Sequence, residues 1–259
     1  MLLTIDIGNT NIVFGVYRND ELITNWRMST DRNITADELG MFLRQMLVYD
    51  KLSFEDIKDL IISSVVPPIM YAMQHMAQKY FGKEAMVVGP GIKTGMKVLY
   101  DNPKQVGADR IVNGVAAFKK YGGPVVVVDF GTATTFCAIN EKMEYLGGAI
   151  APGIKISSEA LFEKAAKLPR VELAIPRSVI AKSTTESMQS GIINGAVGTV
   201  DHMVTLFRKE MGWEDVKVVA TGGLSSLIFS LSTEIQAVDK FLTLDGLKII
   251  YDLNRLKEK

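Results

Sequence analysis

The chain has little of what would tie it to a disulfide framework, a zinc site, a membrane or a polyanion. It has one cysteine, Cys137, so no intrachain disulfide can form, which fits a reducing compartment. Its place inside an apolar strand marks a buried, inert thiol. There are two histidines, His75 and His202, each in a helical pattern with no Cys or His partner at ligand spacing, so zinc is not expected. Neither sign of charge is in excess, with Lys plus Arg and Asp plus Glu both at 29. That leaves no broad basic field for nucleic acid or an anionic membrane. No run approaches the roughly 20 apolar residues of a membrane span. The opening MLLTIDIGNT has no basic leader and its apolar run is cut at Asp6, so a cytoplasmic location is expected. Asn33-Ile34-Thr35 matches a glycosylation sequon that has no meaning without secretion. Two familiar nucleotide motifs are also missing. Lys182-Ser183 lacks the preceding glycines of a P-loop, and Gly89-Pro90-Gly91 is followed by Thr94 where a dinucleotide fingerprint needs its third glycine. Small molecules or other proteins are the expected partners.

What is present is a weak internal repeat. With 259 residues and 47% apolar content, the chain can bury a substantial core as one large domain or two small ones. The first half opens with extended runs at Leu2–Ile7, Ile12–Tyr17 and Leu22–Trp26, joined by turn residues into a meander. Thr35 and Glu38 form a capping box ahead of Leu39, Phe42, Leu43, Met46 and Leu47, which predicts a helix over 36–49. A strand at Leu60–Val66, a helix entered through Pro67-Pro68 and a strand at Met86–Val88 follow. The second half repeats the opening with strands at Pro124–Asp129, Thr135–Ile139 and Tyr145–Ile150. After them come helices near 155–166 and from Ser183 to Met211, the strand Val216–Ala220, a helix after Gly222-Gly223, and a last helix ending near Leu256. A repeat this long means duplicated domains, placed here at 1–118 and 119–259, with the boundary at the end of a helical segment, Gln105–Tyr121. Loop 89–104 is the longest irregular stretch.

Each half carries the same turn after its first strand, Asp6-Ile7-Gly8-Asn9-Thr10-Asn11 and Asp129-Phe130-Gly131-Thr132-Ala133-Thr134. A strand that ends in Asp and turns through Gly exposes a carboxylate and several N–H groups at one point, and glycine lets a bulky anion approach closely. One such turn is an ordinary hairpin. Two, brought face to face by duplicated lobes, would hold a polyphosphate from both sides with the carboxylates placed to carry its cation. A pair of plain hairpins explains the strings equally well. Thr221-Gly222-Gly223, between a strand and a helix, offers a third point where backbone can approach a base or ribose, although the same pattern also makes a common packing corner.

These turns, together with Val106-Gly107-Ala108-Asp109-Arg110-Ile111-Val112-Asn113, Gly147-Gly148-Ala149-Ile150-Ala151-Pro152-Gly153, Lys182-Ser183-Thr184 and the closing Leu244-Asp245-Gly246-Leu247, make the chain resemble the type III pantothenate kinases over nearly its whole length. Ala181 departs from the glycine expected ahead of Lys-Ser-Thr. The resemblance implies an α/β fold of two duplicated ribonuclease-H-like lobes of the actin-like ATPase kind, each a mixed sheet flanked by helices. It implies an ATP-dependent kinase acting on the primary alcohol of pantothenate, at the first step toward coenzyme A. By the same resemblance, Asp6 through Val13 (Asp6, Ile7, Gly8, Asn9, Thr10, Asn11, Ile12, Val13) form a phosphate loop, with Asp6 acting on Mg²⁺ through phosphate or water. Gly131 and Thr132 contact ATP, and Asp129 binds a monovalent cation, K⁺ or NH₄⁺. Tyr100, Gly107, Ala108, Asp109, Arg110 and Thr184 hold pantothenate, with Asp109 as the base. The family is a homodimer with this site at the subunit interface. Bland roles exist for each residue: Tyr100 as a loop anchor, Thr184 as part of a helix cap, Asp109 as a favourable charge at a helix start. The rival functions are another small-molecule kinase of the same superfamily and a nucleotide-sensing regulator. The regulator would have no need of a base at Asp109.

Overall fold

The repeat read from the sequence is present as matched strands. In the computed structural model, which describes residues 1–255, the chain begins with an antiparallel meander of β1 (Leu2–Ile7), β2 (Asn11–Arg18) and β3 (Glu21–Ser29). The helix α1 (Ala36–Tyr49) follows, and the Thr35 hydroxyl accepts from the Glu38 N–H while the Glu38 carboxylate accepts from the Thr35 N–H at 2.8 Å. Leu39, Leu43 and Leu47 form its buried face, one turn apart as helical spacing requires. Then come β4 (Asp59–Ser64), α2 (Met70–Met76), β5 (Met86–Val87), β6 (Lys97–Val98) and α3 (Ala108–Tyr121). The second half supplies β7 (Val125–Phe130), β8 (Ala133–Ile139), β9 (Glu144–Pro152), α4 (Ile154–Lys164), α5 (Thr184–Met211), β10 (Lys217–Gly222), α6 (Ser225–Phe229), β11 (Ala237–Val238) and α7 (Leu242–Arg255). Leu256, where the last helix was expected to end, lies outside the described residues.

One sheet runs β3-β2-β1-β4-β5 and the other β11-β10-β7-β8-β9-β6. Removing β6 leaves the same order read from opposite ends, with β4 parallel to β1 and β10 parallel to β7. β1 and β7 share one burial sequence, four buried residues, a half-buried Asp and a buried residue. Both strands are buried along nearly their whole length because both of their faces are covered.

The chain divides into two compact units. The first comprises Met1–Met96, Asp101–Ala116 and the segment from Leu242; the second comprises Lys97–Tyr100 and Ala117–Phe241. The chain crosses between them within α3. This division departs from the expected 1–118 and 119–259 in two places. The expected loop 89–104 contains β6, which pairs with β9 and carries Tyr100 into the second unit. The closing helix α7 belongs to the first unit, where it packs on β1, β2 and β4. Leu244, Leu247 and Ile250 form its buried face, while Tyr17 donates to Asp245 at 2.5 Å and Tyr251 to Asp59 at 2.6 Å. α7 covers the face of the first sheet opposite the core built from Leu3, Ile5, Ile7, Leu60 and Ile62. In the second unit, Met188, Ile192, Ile193, Val200 and Val204 of α5 fill a core with Val126, Val128, Phe136 and Val218.

Candidate active site

In the first unit, Asp6 is half-buried near the carboxyl end of β1, between Val13 of β2 and Ser63 of β4. The turn that follows is closed by the Gly8 N–H donating to the Asn11 carbonyl at 3.0 Å. Thr30, just past β3, braces it from behind: its hydroxyl donates to the Gly8 carbonyl at 2.7 Å and its N–H to the Thr10 carbonyl at 3.0 Å. Asn9 and Thr10 are exposed at the tip. The Ile7 and Ile12 side chains are fully buried in the core, so only their backbone can serve a phosphate.

The start of α3 stands at the same edge. The Val65 N–H donates to the Ile7 carbonyl at 3.1 Å, and a Cβ placed on Gly107 would lie 3.5 Å from the Val65 side chain. The same Cβ would lie 2.5 Å from Asp109 Oδ1, so Gly107 is the gap over which the Asp109 carboxylate folds. Oδ1 accepts from the Arg110 N–H at 2.7 Å. Burial pushes the Asp109 carboxyl above its ordinary value, opposed by that N–H and by the Arg110 charge. A carboxylate raised by desolvation at the carboxyl end of parallel strands has the character of a general base. Arg110 is buried at 8% exposure, and Asn113, one turn on, accepts from the Thr243 hydroxyl at 2.7 Å.

In the second unit, Asp129 lies in β7 between Thr135 of β8 and Thr221 of β10. Gly131 and Thr132 are exposed at the turn, which closes with the Gly131 N–H donating to the Ala133 carbonyl at 3.2 Å. Two glycines back this turn. A Cβ on Gly153 would collide with the Thr132 carbonyl, and one on Gly222, whose φ is +90°, would lie 2.6 Å from both Asp129 Oδ1 and the Phe130 carbonyl oxygen. Gly222 is therefore a wall behind Asp129, and only Gly223, exposed with open space around its Cα, has the access expected of both. The signal for Gly153 in the sequence is the Pro152-Gly153 step between a strand and a helix. The carboxylate and carbonyl oxygens that border Gly222 are hard donors suited to a monovalent cation, and Asp6 is the kind of single carboxylate through which phosphate-bound Mg²⁺ is held.

Tyr100 lies over Gly147, whose φ is +139°, with a Cβ there 3.8 Å from the ring, and 6.4 Å from the Tyr145 ring. Thr184 is the exposed first residue of α5; the cap is Ser183, whose hydroxyl accepts from the Glu186 N–H at 3.3 Å. Tyr100 and Thr184 thus belong to the second unit and Gly107–Arg110 to the first. Cys137 is buried as expected, with the Tyr145 hydroxyl 3.6 Å from its sulfur. A groove of about 530 Å³ runs along α5 beside α4 and the ends of β8 and β9, lined by Phe130, Pro152, Ile154, Gly191 and Gly195 among others. Among the described residues no helix is long and apolar enough to cross a membrane.

Similar solved structures span the whole chain. One is a conserved protein from Campylobacter jejuni provisionally described as a Baf family transcriptional activator, 20% identical with a TM-score of 0.63 over 98% of this chain and 99% of that one. Another, from Sinorhizobium meliloti and provisionally named a 2-dehydro-3-deoxygalactonokinase, is 10% identical with a TM-score of 0.55 over 98% and 97%. An inorganic polyphosphate/ATP-glucomannokinase from Arthrobacter is 13% identical with a TM-score of 0.52 over 98% of both chains. These likenesses show the fold, two ribonuclease-H-like lobes, each a mixed sheet flanked by helices. The family model for type III pantothenate kinase matches residues 2–206, a span that contains both Asp-Gly turns, Asp109, Tyr100 and Thr184 but not Gly222 or Gly223. The chain belongs to the type III pantothenate kinase family.

Proposed function

We propose that the protein transfers the γ-phosphoryl group of ATP to the primary alcohol of pantothenate, giving 4′-phosphopantothenate and ADP. The observation that carries this reading, beyond family membership, is Asp109: a desolvated carboxylate held by the Arg110 N–H at the strand edge that also bears Asp6. Asp109 would accept the alcohol proton as the hydroxyl oxygen bonds to the γ-phosphorus and the bond to the bridging β,γ-oxygen breaks. Asn9, Thr10, Asn11 and Thr132 would present N–H, amide and hydroxyl donors to the phosphates, Gly8 and Gly131 would let the phosphates approach closely, and Gly223 would lie near the nucleoside. Asp6 would hold Mg²⁺ through phosphate or water, and Asp129 a monovalent cation, K⁺ or NH₄⁺. When bound, these ions would offset the charge of the phosphates. Tyr100, Gly107 to Arg110 and Thr184 would orient pantothenate, so that transfer needs little beyond position and charge.

The reading includes a two-fold homodimer with the pantothenate site at the subunit interface. Gly191, Gly195 and Gly198 sit inside α5, where each costs about 1 kcal/mol against alanine, yet a Cβ on any of them would meet nothing within 4 Å. Nothing among the described residues calls for their small size. The groove beside them and the exposed Ile150, Val179 and Ile180 suit a second copy. The protein is read as cytoplasmic, with no nucleic-acid or membrane partner.

An ADP-release assay over a panel of alcohols tests the reading. Turnover is expected with pantothenate. Turnover only with a sugar or short acid would make it a different kinase of the same fold, in keeping with the glucomannokinase likeness, and ATP binding without any turnover would make it a sensor.

A further inference from the structure

At the carboxyl ends of β1 and β4 a carboxylate with a role in the proposed reaction stands beside a hydroxyl that has none. The parallel register pairs Asp6 with Ser63; paired residues of neighbouring strands lie about 4.8 Å apart and project to the same face. On its other side Asp6 is paired with Val13, so Ser63 is its polar cross-strand neighbour. Ser63 is fully buried at 0% exposure, and its hydroxyl has no hydrogen-bond partner among the described residues. Other polar side chains nearby are engaged. The Thr4 hydroxyl donates to the Gly15 carbonyl at 3.1 Å, the Ser64 hydroxyl accepts from the Val66 N–H at 3.1 Å, and Asp59 accepts from Tyr251. A buried unpaired hydroxyl destabilises a fold, so alanine would be the more stable residue at 63 unless the hydroxyl acts in another state of the site.

We propose that Ser63 is a positioning residue for Asp6: with Mg²⁺-ATP in the phosphate loop, its hydroxyl donates to the Asp6 carboxylate, directly or through one water, and fixes the direction in which that carboxylate meets the metal's waters. This rests on the reading of Asp6 as part of a phosphate loop. A water bridge is within reach at this strand spacing and costs little relative to a direct bond. The structural role open to Ser63, filling space, is served equally well by any small residue.

The test is calorimetric ATP binding at increasing Mg²⁺, without pantothenate, on the wild type, Ser63→Ala and Asp6→Asn. Loss of one hydrogen bond to a charged group predicts an Mg²⁺ half-point about tenfold higher in Ser63→Ala. Its melting temperature should be equal or higher, a combination that a packing role does not produce. Ser63→Cys, which keeps the volume and weakens the donor, should shift the half-point in the same direction and serves if the alanine variant folds poorly. A wild-type half-point in both Ser63 variants, with Asp6→Asn shifted, overturns the role of Ser63 and leaves the phosphate loop standing. If Asp6→Asn does not shift either, the reading of Asp6 fails and takes the inference with it.

Discussion

Burial of the Asp109 carboxylate sets stability against rate at a single side chain. Its carboxyl is raised above the ordinary 3.8, so the fold favours the protonated form. The stability it contributes is present below the unfolded value and is lost as pH rises through the folded one. Asp109→Asn should therefore melt at or above the wild-type temperature at neutral pH, while general-base loss lowers kcat about 100- to 10,000-fold. Before substitution, the rate should fall with acidification through a pKa above 3.8, and that limb should vanish in the variant. Full turnover in a well-folded Asp109→Asn would leave Asp109 as no more than a charge at a helix start. Gly222 gives the second residue-scale prediction. Alanine there faces both a positive φ and two oxygens at 2.6 Å, so Gly222→Ala should cost about 1–3 kcal/mol and displace Asp129. Thermal melts should record the loss, and K⁺ titration of activity should show a raised half-point. An unchanged K⁺ response in a measurably destabilised variant would detach Gly222 from the cation.

At the scale of elements, what could be read in advance was whatever has its own period or punctuation. β1 and β7 are apolar runs stopped by Asp, α1 is announced by its capping box, and α5 by 28 residues of helical pattern. β6 was illegible because it lies inside a stretch punctuated by Gly89, Pro90, Gly91, Gly95 and Pro103, and what makes it a strand is the partner it meets, with the Leu99 N–H donating to the Tyr145 carbonyl at 2.8 Å. The site divides the same way. Asp6, Asp129 and Asp109 carry their chemistry in their names, whereas Gly153 and Gly222 act only through what lies against them, and Ser63 through the strand beside it. α5 allows a prediction at this scale. Leucine at 195 has open space within the chain and a better helix propensity than glycine, so Gly195→Leu should keep or raise helicity. If the glycine face meets a second copy, light scattering at micromolar concentration should give a dimer for the wild type and a monomer with impaired turnover for the variant. A fully active dimeric variant would place the contact elsewhere.

For the whole molecule, the consequential feature is that the first unit is assembled from three stretches of chain, the last of them α7, whereas most of the second is one continuous stretch. A chain made from its N-terminus emerges in that order. Residues 2–64 must then wait for residues 242–255: a chain of which only residues up to 241 had emerged would hold the whole of the second unit, while β1 and β4 still lacked the helix that covers one face. Proteolysis of such stalled chains should cut within residues 1–96 and spare 117–241, and release of the last segment should protect both. Residues 242–255 thus decide when the turn after Asp6 acquires a stable floor, and the unit whose strands are written first is completed after the other.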